Sequence, residues 1–328
     1  MNKVDFEALR KDLKEGVQKA KQGENVGELH SRFSSMVREG TLPKALLWDF
    51  GWLNYYQLKY THLSSVLPRK RLLLQHLNLD LNHPSLLHSL ILAEAVKLKK
   101  NSPAQFRLRD FVDLWKLENL REEDWETFKP EKGHSCNSLV ENLIGACMKE
   151  IRRYGGEASE EFGSLLRKAM DAYPSNPHLP LYEPIVLASQ GKKEEALAAY
   201  QRLLRRWPRK FFLWSNAEEL LPRANIDTRI SLLCKAITLV RDQSFLGDIR
   251  LRLANLLQKK GLHAYARHEL DTHLHHYVSR HWNVKRWHET LSGRLNASAP
   301  GVASSPTPYS SFLALADGFP QRPLAAHA

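Results

Sequence analysis

Leu187-Ala188-Ser189-Gln190-Gly191-Lys192-Lys193-Glu194-Glu195-Ala196-Leu197-Ala198-Ala199-Tyr200 is the stretch that decides the fold, because its pattern returns seventy residues later. Leu257, Gly261, Ala266 and Leu270 then stand where Leu187, Gly191, Ala196 and Tyr200 stood. The aromatic-Pro steps Tyr173-Pro174 and Trp207-Pro208 lie 34 residues apart, so the longer offset is two periods of about 35. The unit between is less regular and offers Trp214, Leu221, Ile230, Cys234 and Ile237 at the corresponding places. A repeat of this length is a pair of helices that cannot bury its apolar side alone, so successive pairs must stack. Gly191 and Gly261 can turn the chain between helices, Ala196 and Ala266 allow close helix approach, and Pro208 stops the second helix.

These residues resemble the tetratricopeptide repeat, a helix-turn-helix unit with small residues at the helix contact, an aromatic in the second helix and a closing Pro. The resemblance covers about residues 140 to 280 and implies an all-α solenoid of stacked antiparallel helix pairs. Two positions depart from it: Pro184 and Glu218 stand where Ala254 stands, a place that is small in the family. In such solenoids the first helix of each repeat lines the concave surface, and the resemblance puts Asp248, Arg252, Asn255 and Lys259 on that lining. Their spacing of four, three and four makes one stripe, suited to an acidic or extended peptide through charge-assisted bonds; an ordinary solvated face is the alternative. Leu114-Trp115-Lys116-Leu117-Glu118-Asn119-Leu120 also looks like helical-repeat proteins of bacterial stress-resistance gene clusters, which implies a place in a stress-response or defence assembly.

Towards the N-terminus, Phe6, Leu9, Leu13, Val17 and Ala20, then Val26, Leu29, Phe33 and Val37, read as a helical hairpin. Thr41 and Pro43 suit the start of a third helix carrying Leu46, Phe50, Leu53 and Tyr56. Further helices are expected from about 68 to 78, 84 to 99 and 103 to 116. The last opens on Ser102-Pro103-Ala104-Gln105, a capping-box spacing. An acidic stretch from Glu118 to Gly133 suggests a boundary, which divides the chain into a helical region 1–130, repeats with basic C-terminal helices 131–295, and a tail. Residues 296–328, rich in Ala, Ser and Pro, read as flexible, with Phe312-Leu313-Ala314-Leu315 a patch that could dock on a groove.

The formal charge of +12 is unevenly spread. Residues 111–200 carry 11 Lys/Arg against 16 Asp/Glu, whereas 201–295 carry 18 against 8. That asymmetry allows an internal or subunit-to-subunit match, or a basic face left for an acidic ligand. The cluster Arg202, Arg205, Arg206, Arg209 and Lys210 contains no acid. Further on, Arg280, Lys285 and Arg286 interleave with Tyr277, Trp282 and Trp287, so nucleic acid is the alternative partner to protein. Aromatics at helical spacing filling a core are the plainer reading.

Seven histidines between 262 and 295 invite a metal, but only His273 and His276 have a spacing that faces both rings one way, and no metal ligand set is assigned. Gly155-Gly156 lacks the Lys-Ser/Thr of a phosphate loop and reads as a turn. The chain has no H-E-x-x-H, G-x-S-x-G or strand-associated G-x-G-x-x-G, so no enzyme activity or cofactor is expected. Cys136, Cys147 and Cys234 suit a reducing compartment. The charge-interrupted N-terminus and the lack of a long apolar run predict a cytoplasmic protein with no membrane partner, with self-association left open.

Overall fold

The computed structural model describes residues 3–127, 136–284, 286–298 and 309–322. Its architecture is all-α, with no strand among the described residues, and the chain divides into two compact units, Met1–Ser175 and Asn176–Ala328. No described helix is long and apolar enough to cross a membrane.

The first unit contains α1 (Lys3–Lys21), α2 (Gly27–Arg38), α3 (Leu47–Tyr60), α4 (Val66–Leu77), α5 (Leu86–Asn101), α6 (Leu108–Trp115), α7 (Leu139–Tyr154) and α8 (Glu160–Ala172). The expected N-terminal hairpin closes on α3, where Leu13, Val26, Phe33, Phe50 and Leu53 form one buried cluster. Farther along, α5 packs on α4, α6 and α7. A buried ion pair joins α4 to α5. Arg69, fully buried, donates from Nη1 to the carbonyls of Leu58 and Thr61 at 2.7 Å and from Nη2 to Glu94 Oε2 at 2.6 Å.

Two readings of this region are corrected. The first unit does not end near residue 130, because α7 is built into it: Glu150 meets Lys99 Nζ at 2.5 Å and accepts the Leu108 N–H at 2.9 Å. The Tyr173 hydroxyl likewise donates to the Trp125 carbonyl, so the division falls at 175/176. The capping box at Ser102 also does not start a helix. Lys99 Nζ draws in the carbonyls of Pro103 and Phe106 at 2.8 and 2.7 Å, which holds these residues as a turn, and α6 begins only at Leu108.

The second unit contains α9 (Leu179–Ser189), α10 (Lys193–Arg206), α11 (Phe211–Leu220), α12 (Ile226–Thr238), α13 (Ile249–Lys259), α14 (His263–Ser279), α15 (Arg286–Ser298) and α16 (Tyr309–Gly318), followed by a 3₁₀ turn at Phe319–Gln321. Helices α9 to α14 make three successive hairpins, each packed on the next. The first and third turn in the same way. Gly191 and Gly261 have φ of 76° and 80°, with Lys192 N–H bonded to Leu187 O and Leu262 N–H to Leu257 O. That left-handed closure is what the glycine spacing required. Ala196 and Ala266 are fully buried at the helix contacts. Ala196→Leu is therefore expected to overpack the first hairpin and cost roughly 1 to 3 kcal/mol, read as a lower urea midpoint.

The tail expected to be flexible over 296–328 is ordered where it is described. Helix α15 runs to Ser298, and residues 309–322 pack on the hairpins with Tyr309, Ala316 and Phe319 joining the core. Tyr309, Phe312, Leu313, Ala316 and Phe319 recur at three, one, three and three, which gives a helical apolar edge despite the Ser- and Pro-rich composition. Residues 299–308 and 323–328 lie outside the described residues.

Candidate binding surface

Segment 309–322 lies across the second helices of all three hairpins. On α14, the Tyr309 hydroxyl donates to Glu269, a fully buried carboxylate that also receives Arg250. On α12, against which α16 packs, Lys235 Nζ meets Asp317 at 2.6 Å. On α10, the buried Gln201 side-chain amide donates to the carbonyls of Phe319 at 3.0 Å and Arg322 at 3.1 Å, and Arg205 donates to the Pro320 carbonyl. Lys260 reaches over the Phe312 ring, 5.6 Å from its centroid. Burial and the Glu269 charge push the Tyr309 hydroxyl well above its ordinary pKa, so it stays a donor.

The stripe predicted on the first helices is arranged differently. Arg252 Nη1 lies 2.8 Å from Glu218 Oε2 and 2.6 Å from Glu219, and Nη2 bonds Ser215, so its guanidinium ties α13 to α11. Asp248 is 3.9 Å from Arg252, Asn255 is half-buried and Lys259 is exposed. The structure thus engages the stripe's Arg internally, and it accounts for Glu218 at a position where a small residue was expected. Glu218 is fully buried because Arg229 reaches its Oε1 at 2.6 Å while Arg252 takes Oε2.

The predicted basic cluster is also partly engaged. Arg202 pairs with Glu183 at 3.0 Å, Arg205 holds the C-terminal segment, and the Arg206 guanidinium lies over the Trp207 ring. Arg209, Lys210 and Arg280 are exposed. Arg286 opens α15, and Lys285 lies outside the described residues. In the first unit, the carbonyls of Gly155 and Glu157 accept from Arg109, so the diglycine is a turn around a guanidinium.

Of the seven clustered histidines, His273 and His288 are buried with their Nε2 atoms 3.2 Å apart, and Tyr277 packs on both rings. Among the described residues, no group of three or more His, Cys, Asp or Glu is placed to hold a metal ion. Burial first, then His288, His276 and Arg250, lower the His273 pKa to about 4 against the pull of Asp248. In the first unit burial does the same to His76, down to about 3, and to His88, down to about 4, where the His88 ring stacks on Trp115. Unfolded, such rings take a proton near pH 6.5. Between that pH and about 4 the unfolded chain binds protons that the folded chain refuses. Stability is therefore expected to be full above pH 6.5 and to fall as the pH drops towards 4. Urea midpoints at pH 7.5 and 5.0 check this, and equal midpoints would mean that the rings protonate in place.

Gln201, Lys235, Lys260 and Glu269 were not singled out by the sequence. Only the apolar spacing of residues 309–319 carried a signal for the segment that they hold. Fold and surface together define an all-α stack of helical hairpins that carries a peptide segment across its second helices. A family model described as a domain of unknown function, DUF7017, matches residues 178–300, from the start of α9 to just beyond α15. No curated protein matches the chain.

Proposed function

We propose that this chain is a non-catalytic protein-binding scaffold of the tetratricopeptide-like type. Its second unit receives a short segment of a partner, in a cytoplasmic stress-response or defence assembly. One observation carries the reading: α10, α12 and α14 already hold residues 309–322 as a peptide ligand is held. Apolar side chains enter the core while Gln201 and Arg205 read main-chain carbonyls. Contacts to carbonyls do not select side chains, so a partner segment with apolar residues at similar spacing meets the same donors. The engagement of Arg252 and Arg205 inside the fold favours this surface over an acid-binding groove on the first helices and over a nucleic-acid face along 202–210. Cys147 and Cys234 are buried free thiols, which suits a reducing compartment.

The test is direct. A labelled peptide of residues 309–322 is titrated into a chain ending at residue 298 whose helical content is first verified by circular dichroism. One-to-one binding is expected, weakened about tenfold or more in the Gln201→Ala/Arg205→Ala variant, since three hydrogen bonds of about 1 kcal/mol each are lost. A folded chain that ignores the peptide would remove the proposal.

A further inference from the structure

In the first unit, the C-terminal turns of α5 and α7 enclose a cleft of about 510 Å³ whose lining is dominated by cations. Lys149, Arg152 and Arg153 recur at three and one and project from the last turns of α7, with Lys100 facing them from α5. The only carboxylate in the lining is Glu150, and it is spent on Lys99 Nζ at 2.5 Å and the Leu108 N–H at 2.9 Å. Lys99 is in turn buried against the Pro103 and Phe106 carbonyls. Lys100, Lys149, Arg152 and Arg153 have no carboxylate within ion-pair distance among the described residues. Lys100 donates only to the neutral Asn142 amide oxygen, at 2.7 Å.

Basic residues at helix C-termini commonly offset the helix dipole, and that accounts for Arg152 and Arg153. It does not account for cations from two different helices converging on one concavity. Burial first, then the Lys149 charge, lower the Lys100 pKa, the mark of an ammonium held near a like charge without a counterion. An anion in the cleft would relieve that repulsion. Two guanidiniums offer forked donors for phosphoryl oxygens, and two ammoniums supply point charges. The volume lies within the range of sites for small molecules.

We propose that this cleft is a binding site for a small diphosphate-bearing anion, held by Lys100, Lys149, Arg152 and Arg153. The site lies wholly in the first unit and is independent of the peptide surface. Calorimetry on the full chain at about 50 mM salt uses inorganic pyrophosphate and ADP as probes, with sulfate at matched ionic strength. Pyrophosphate is expected to bind one per chain. Displacement by ADP identifies a nucleotide diphosphate as an accepted source, and no displacement restricts the site to the inorganic anion. Lys149→Gln/Arg153→Gln should weaken binding about tenfold or more with an unchanged Tm. Lys14→Gln/Lys19→Gln, which makes the same charge change on exposed positions of α1, should leave it intact. Absence of pyrophosphate binding, equal binding of sulfate, or equal loss in both variants would overturn the proposal. A second measurement needs no variant. Pyrophosphate should slow acetylation of Lys100 and Lys149 relative to Lys14 and Lys19 in a mass-spectrometric time course, and uniform rates would overturn the site.

Discussion

Glu218→Ala is expected to destabilise the second unit by roughly 3 to 5 kcal/mol, among the largest effects of any single substitution in the chain. The carboxylate is fully buried, and two guanidiniums converge on it, Arg229 on Oε1 at 2.6 Å and Arg252 on Oε2 at 2.8 Å. Removing it strands two charges of one sign in a site with little water, where desolvation is no longer offset by attraction. Glu219 and Asp248 are the nearby acids, 2.6 and 3.9 Å from Arg252, but both lie mostly in solvent. The check is urea denaturation of Glu218→Ala beside Glu218→Leu/Arg252→Leu. The double variant removes one stranded charge, so it should be more stable than the sum of the single losses predicts. A Glu218→Ala loss below about 1 kcal/mol would mean that the arginines turn out to water and that the network is incidental.

Phe319→Ala is expected to release the C-terminal segment while leaving the hairpins folded. The ring is fully buried in the core of the second unit, and truncating such a residue costs roughly 3 to 5 kcal/mol. The segment is held at its other end by Tyr309 and in the middle by the packing of α16 on α12, separate from the Phe319 pocket, so the loss falls on a local opening rather than on global unfolding. A loss of about 3 kcal/mol is more than a hundredfold in the opening equilibrium. Hydrogen exchange should therefore show amides of 309–318 losing protection by about that factor, with α11 and α12 little changed. Equal loss of protection throughout the unit would show that the segment is an inseparable part of the core.

The repeat was legible because steric punctuation fixes it. A left-handed position at Gly191 and Gly261, and small residues at the fully buried positions Ala196 and Ala266, leave few other readings of that spacing. The peptide-holding surface was not legible. Arg205 sits in a run of cations and looks like part of a charged face, whereas its partner, the Pro320 carbonyl, is more than a hundred residues away. Around residues 296–328 only the Phe312–Leu315 patch was legible, and Phe312 and Leu313 do pack on the core; the Ser- and Pro-rich composition hid the ends of the same edge, Tyr309, Ala316 and Phe319, because average polarity says nothing about periodicity. The boundary at 175/176 was missed for a related reason. An acidic, Pro-containing stretch resembles a linker, yet Glu150 on α7 is tied to Lys99 and Leu108, and Tyr173 to Trp125, across that same stretch. The cationic cleft pairs Lys100 with Lys149, and nothing short of the packing of α5 on α7 brings those two together.

A grip on carbonyl oxygens is indifferent to spelling. Because Gln201 and Arg205 hold the chain by atoms that every residue shares, the outward positions Ser310 and Ala314 can be rewritten over generations while the same strap stays fastened. The letters that point inward, Tyr309, Ala316 and Phe319, with Phe312 and Leu313 packed beside them, are held to their present form.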